Sequence, residues 1–158
     1  MSNYQIITDS ACDLPKAMLQ ELNVITIPLT VNFRGEERRD SVEDANVKEL
    51  YDAMRSGEVA TTSAVNPEGW ANAIEPTLAE GRDALVLAFS SGLSTTYQSA
   101  VIAATELREK YPEEIIIGIE PAVKLAADSC GGRIGVMATA VTLREEKFHQ
   151  QLERFPRV

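Results

Sequence analysis

The chain has 158 residues, 44% of them hydrophobic and 25% charged, with a formal net charge of −9. These values describe one compact domain with a core of its own, not a disordered chain. The acidic balance repels phosphate backbones and anionic headgroups, which excludes nucleic acid and membrane surfaces as expected partners.

Met1-Ser-Asn-Tyr-Gln carries no basic residue and runs directly into a strand-like segment, so no secretory leader is expected. That segment, Tyr4-Gln-Ile-Ile-Thr8, reads as a short buried strand closed by the polar turn Asp9–Asp13. Pro15 behind Asp13 predicts a helix through about Leu22, with the proline in its first turn. Val24–Phe33 follows as an extended segment, in which Pro28 marks an edge or a bend, and Arg34-Gly35-Glu36 is a turn. Ser41, Glu43 and Asp44 open a second helix, along which Val47, Leu50, Tyr51 and Met54 recur at helical spacing until Ser56-Gly57. Ala60–Asn66 reads as a polar loop before a third helix starting at Pro67. That helix has Trp70, Ala73, Ile74 and Leu78 on its apolar face, and Pro76 is expected to kink or split it. Ala84–Phe89 is a buried strand, Leu93–Tyr111 a long helix, Glu114–Glu120 a further strand, and Gly131 to about Arg154 a last helix. No stretch reaches the roughly 18 apolar residues of a membrane span. Cys12 and Cys130 read as reduced thiols, so the expected location is cytoplasmic.

Buried strands alternating with amphipathic helices predict an α/β fold: a parallel sheet with helices on both faces. Ligands bind at the carboxyl ends of such strands. Three polar turns fall there: Thr8-Asp9-Ser10, Ser90–Ser94 and Asp128-Ser129. The Thr61-Thr62-Ser63 segment precedes a helix and is positioned to join them. The set is rich in hydroxyls and poor in bases.

Ser94 has three readings. Gly92-Leu93-Ser94 is the first half of a nucleophile elbow, but position 96 is Thr where the elbow needs Gly. A serine nucleophile also needs a base, and the single histidine, His149, sits in a charge-rich stretch as a surface residue. The cysteines and His149 have no zinc spacing, and no phosphate-binding glycine loop is present. Asp9 and Asp128 have the position of Mg²⁺ ligands, although Asp after a strand more often forms a turn. The remaining two readings of Ser94 are ordinary capping of the following helix and a clamp for an anion. An enzyme of phosphoryl or acyl transfer using Asp9 or Ser94, and a self-associating interaction module, are the alternatives to a binding protein.

Ile6-Ile-Thr-Asp-Ser-Ala-Cys-Asp-Leu-Pro15, Thr61-Thr-Ser-Ala-Val-Asn-Pro67, Ser90-Ser-Gly-Leu-Ser-Thr-Thr-Tyr-Gln-Ser99 and Asp128-Ser129 occur in the order seen in DegV family proteins. The third run is the most specific and resembles Ser-Ser-x-Leu-Ser-Gly-Thr-Tyr-Gln-Ser of that family. The resemblance implies an α/β fold and non-catalytic binding of one long-chain fatty acid. It further implies no cofactor and no metal, and a fatty acid kinase as the partner to which the lipid is presented. It carries the carboxylate contacts onto Thr62 or Ser63 and Ser94, with Ser10, Gly92 and Thr96 in the adjoining turns, and puts the acyl chain in an apolar tunnel. The sequence departs from the family in three places. Thr95 stands where the family has Gly, Glu120–Ala127 separates the last strand from Asp128-Ser129, and family members are nearly twice as long. The expectation is one DegV-like N-terminal domain over residues 1–158, without the usual C-terminal domain and with a face open to homo-oligomerisation.

Overall fold

The computed structural model describes residues 4–40, 44–91, 93–114 and 116–118, together with Arg144, Glu146 and His149. The expected last helix, Cys130 and Asp128-Ser129 therefore lie outside the described residues, apart from those three positions. His149 is exposed, as its charge-rich surroundings suggest.

Strand β1 (Tyr4–Asp9) lies at the centre of a four-stranded sheet of order β2-β1-β6-β7, with β2 Val24–Ile27, β6 Asp83–Leu87 and β7 Ile116–Gly118. All three pairings are parallel. The near-continuous apolar character of Ile6-Ile7 and of Ala84–Leu87 is what a parallel strand covered on both faces requires. Helix α1 (Lys16–Glu21) connects β1 to β2, and α4 (Thr96–Lys110) connects β6 to β7. Helix α3 (Pro67–Ala79) precedes β6 and packs on α4 and on the sheet.

The core forms where these elements meet. Ile7, Trp70, Ile74 and Ala103 are fully buried, with Leu78, Ala84, Val86 and Leu107 around them. Each large side chain buried there stabilises the fold by about 1.5–3 kcal/mol. Ala100, Ala103 and Ala104 give α4 a flat, small-residue face, which lets its axis approach α3 closely. Asn66 caps α3 by accepting the Gly69 N–H at 2.8 Å, and Pro67 occupies the first turn. The expected split at Pro76 does not occur: α3 continues through it to Ala79. Pro76 lies in the last turn, where one missing N–H costs a single intrahelical bond, and buried Ile74, Thr77 and Leu78 anchor both sides.

The sequence reading missed a second sheet. The extended segment Val24–Phe33 breaks at Pro28-Leu29 into β2 and β3 (Thr30–Phe33), and β3 leaves the parallel sheet. It pairs antiparallel with β4 (Glu36–Arg39) and β5 (Ala60–Ser63), in the order β4-β3-β5. The expected turn at Arg34-Gly35 is the two-residue hairpin between β3 and β4, with φ of +54° and +79° at its two positions. The expected loop Ala60–Asn66 is thus a strand over its first four residues. Thr and Ser are short enough to be read as loop residues, yet Thr packs well on a pleated surface, and the partner strand decides the outcome. Helix α2 (Asp44–Arg55) forms as expected. Of its apolar stripe Val47, Tyr51 and Met54 are exposed and Leu50 is half-buried, while Ala53 is buried.

Candidate ligand site at the carboxyl edge of the parallel sheet

The carboxyl ends of β1 and β6 open into a cleft of about 290 Å³. Its wall is Thr8, Asp9, Ala11 and Cys12 from the first strand and turn, Leu87–Ser91 from the end of β6, and Tyr97 from the first turn of α4. A second cavity of about 250 Å³ adjoins it and shares Ala88 and Tyr97. Apart from Arg108 at its far end, the second cavity is apolar, lined by Val86, Ala100, Val101, Ala104 and Ile116. Phe89 on the cleft wall and Leu93 further along the same segment are exposed apolar side chains.

The local sequence explains the shape. Pairing between β1 and β6 ends at Thr8 and Leu87, and the Thr8 hydroxyl donates to the Leu87 carbonyl at 2.7 Å. The described residues between Leu87 and the start of α4 at Thr96 belong to no regular element. Within them the Ser90 carbonyl accepts the N–H groups of Leu93 and Ser94, each at 3.0 Å. The start of α4 has no acidic residue in its first turn, while Arg108 and Lys110 stand in its last. No acidic side chain of the helix itself offsets its dipole at the cleft end, where a bound anion is favoured.

Asp9 is the one described carboxylate on the wall, and it is almost fully buried. Its Oδ1 accepts the Ala11 N–H at 3.0 Å and its Oδ2 accepts the Phe89 N–H at 2.7 Å. Burial raises its pKa above the ordinary value, against the opposing pull of these two amides. No Lys, Arg or His lines the cleft among the described residues. Among the described residues no group of three or more His, Cys, Asp or Glu side chains converges.

The structure separates the residues expected to act together. Ser90 and Ser91 line the cleft, but Thr62 and Ser63 are exposed on β5 in the other sheet and are not among the described residues of its wall. The Ser63 hydroxyl accepts the Asn32 side-chain amide at 3.2 Å. Ser94 caps its own helix: its Oγ accepts the Thr96 N–H at 3.2 Å and pairs with the Thr96 hydroxyl at 2.9 Å. Thr96 is fully buried beneath it. Ser10 is also buried, and its hydroxyl accepts the Leu29 N–H at 3.0 Å. Gly92 lies outside the described residues. Sequence reasoning missed Tyr97 and Cys12 as wall residues. Tyr97 reads as part of α4's apolar stripe, and only its place in the first helical turn, directly after the serine run, signals a second task.

Comparison with known proteins places this cleft in context. The profile of a family described as "Uncharacterised protein, DegV family" matches residues 3–119. A DegV domain-containing protein of Clostridium perfringens is 40% identical over 114 residues, which cover 72% of this chain and 39% of that protein. The structure of a stearic acid-binding protein from Eubacterium ventriosum superposes with a TM-score of 0.65 at 25% identity, covering 97% of this chain and 52% of that one. A glutamate racemase of Ectopseudomonas mendocina is 46% identical over 82 residues, 51% of this chain and 28% of that enzyme. With 41 residues outside 3–119, the racemase-like stretch overlaps the DegV-like one. The chain thus spans about half the length of the proteins it resembles, or less.

Proposed function

The chain belongs to the DegV family, and on that premise we propose that it binds one long-chain fatty acid without turning it over and presents it to a fatty acid kinase. The observation that carries this reading is the cleft itself. Apart from the amide-bound Asp9 and the Cys12 thiol, its wall carries hydroxyl and apolar groups beside the N-terminus of a helix without acids in its first turn, and it adjoins a mainly apolar cavity. Neutral donors at a helix start hold a carboxylate without a buried cation. Ser90, Ser91 and the first turn of α4 are the nearest donors, with Ser94 and Thr62 as further contacts. The acyl chain passes Ala88 and Tyr97 into the second cavity, where each buried CH₂ contributes about 0.8 kcal/mol. Asp9 does not repel the ligand strongly, because both of its oxygens are turned onto backbone amides that offset its charge.

Transfer chemistry at Ser94 or Asp9 has little to work with, since Ser94 caps α4 and Asp9 holds two amides, and no Lys or His stands on the described wall. Denaturing extraction of the purified protein followed by mass spectrometry tests the binding reading, together with titration of added oleate. Stoichiometric fatty acid or saturable oleate uptake is the expected result, and absence of both would sink it.

A second reading rests on the identity with glutamate racemase. In it, the chain handles a small amino acid and exchanges an α-proton, which needs an acid–base group beside the α-carbon. Cys12 is the wall residue with suitable chemistry. Incubation with glutamate in D₂O, followed by proton NMR, decides it: no loss of the α-proton signal removes this reading.

A further inference from the structure

We propose that Asp9 is the positioning residue of this binding edge, holding the lip formed by Phe89, Ser90, Leu93 and Ser94 in place against the end of β1. What the lip grips rests on the fatty acid reading above; its dependence on Asp9 does not. Among the described residues no ladder bond beyond the Thr8–Leu87 pair holds the end of β6, and α4 starts only at Thr96. The Asp9 side chain bridges that gap. It bonds Phe89, 80 positions away in sequence, and Ala11 in its own turn, so one carboxylate ties together two walls of the cleft.

Order then passes along the lip. Phe89 leads into Ser90, whose carbonyl holds Leu93 and Ser94, and Ser94 caps Thr96. An N–H bond to a carboxylate shielded from water is stronger than the same bond between neutral or exposed groups. Ser10 does the complementary task on the other flank, where its buried hydroxyl takes the Leu29 N–H at the exit of β2. Consecutive side chains at the end of the central strand thus fix the chain beyond both neighbouring strands. The other titratable groups on the described wall are Cys12 and Tyr97, and Asp13 ends the adjoining turn. None of these is a cation that would displace the two amides as the carboxylate's partners.

Asp9→Asn keeps the shape but turns an NH₂ group toward one of the two N–H donors, so one bond is lost. In the ligand-free full chain, amides from Phe89 to Thr96 should exchange hydrogen on the order of tenfold faster in Asp9→Asn than in wild type, with β3 unchanged. Unchanged exchange along the lip overturns the inference. In wild type alone, the Phe89 and Ala11 amide protons should shift with one common midpoint as pH is lowered. This decides the matter if the variant does not fold, and absence of a shared titration also overturns the inference. Oleate affinity supplies the functional readout. Asp9→Asn should bind on the order of tenfold more weakly near neutral pH, and the wild-type advantage should vanish below the shared midpoint. Taking the ratio cancels the titration of oleate itself. Ser10→Ala should leave the lip's exchange rates unchanged and accelerate that of Leu29. If wild type binds no oleate, the fatty acid reading fails while exchange and titration still decide the role of Asp9; equal binding by both proteins rejects that role.

Discussion

Replacing Ser94 with Ala removes a hydroxyl expected to touch ligand, but the structure predicts a large effect before any ligand is added. Ser94 Oγ accepts the Thr96 N–H and pairs with a Thr96 hydroxyl that has no exposure to solvent. The variant therefore loses a cap bond, about 1 kcal/mol, and leaves a buried hydroxyl unpaired, about 1–3 kcal/mol. For a chain of this length, each 1 kcal/mol lowers Tm by roughly 2–4 °C. Adding Thr96→Val removes the orphaned hydroxyl at nearly constant shape, so the double variant should recover most of that second component. Urea denaturation of wild type, both single variants and the double variant closes the cycle, provided the m-values agree. A Ser94→Ala cost below about 0.5 kcal/mol, or strict additivity in the double variant, would refute a structural role for this pair. Oleate affinities of the stable double variant then isolate any direct contact made by Ser94.

Three other outcomes follow from the fold. Gly35→Ala meets no atom within 4 Å of the added Cβ, but φ at that position is +79°, so its cost of about 1–2 kcal/mol is torsional and will show as a lower Tm. Ile74→Ala at a fully buried site should cost about 2–5 kcal/mol in urea denaturation, and a smaller value would mean that the α3–sheet interface collapses around the gap. Because burial raises the Asp9 pKa above the ordinary 3.8, the folded state holds that proton more tightly than the unfolded chain does. Its contribution to stability therefore declines as pH rises from the ordinary value through the folded-state value, and is flat above it. The urea midpoint of wild type relative to Asp9→Asn should fall over that range; a rise would refute the assignment.

The parallel sheet was legible because Ile6-Ile7 and Ala84–Leu87 are apolar on both faces and are separated by helical periodicity. The start of α3 was legible from Asn66-Pro67, where a cap and a first-turn proline coincide. The antiparallel sheet was not, because β4 (Glu-Glu-Arg-Arg) and β5 (Ala-Thr-Thr-Ser) bury almost nothing and so carry no apolar alternation. Their strand character comes from pairing with β3, a contact across up to 33 residues of sequence that no local pattern reports. At the cleft, the serine run announced a polar turn at a helix start. Which hydroxyls face the cleft and which are held by the fold depends on neighbours such as Thr96 and Leu29, whose proximity only the tertiary structure supplies.

Because Ala60–Ser63 is a strand, Thr62 and Ser63 are not interchangeable. Side chains of successive strand residues project to opposite faces, so one carboxylate cannot be gripped by both. Ser63 shares its face with Asn32 on the adjacent strand and accepts that side chain's amide. Thr62 is then the hydroxyl presented on the reverse face of an edge strand. Two apparently equivalent donors thus point to opposite faces of one strand, each with its own O–H to give, and a single ligand group can meet only one of them.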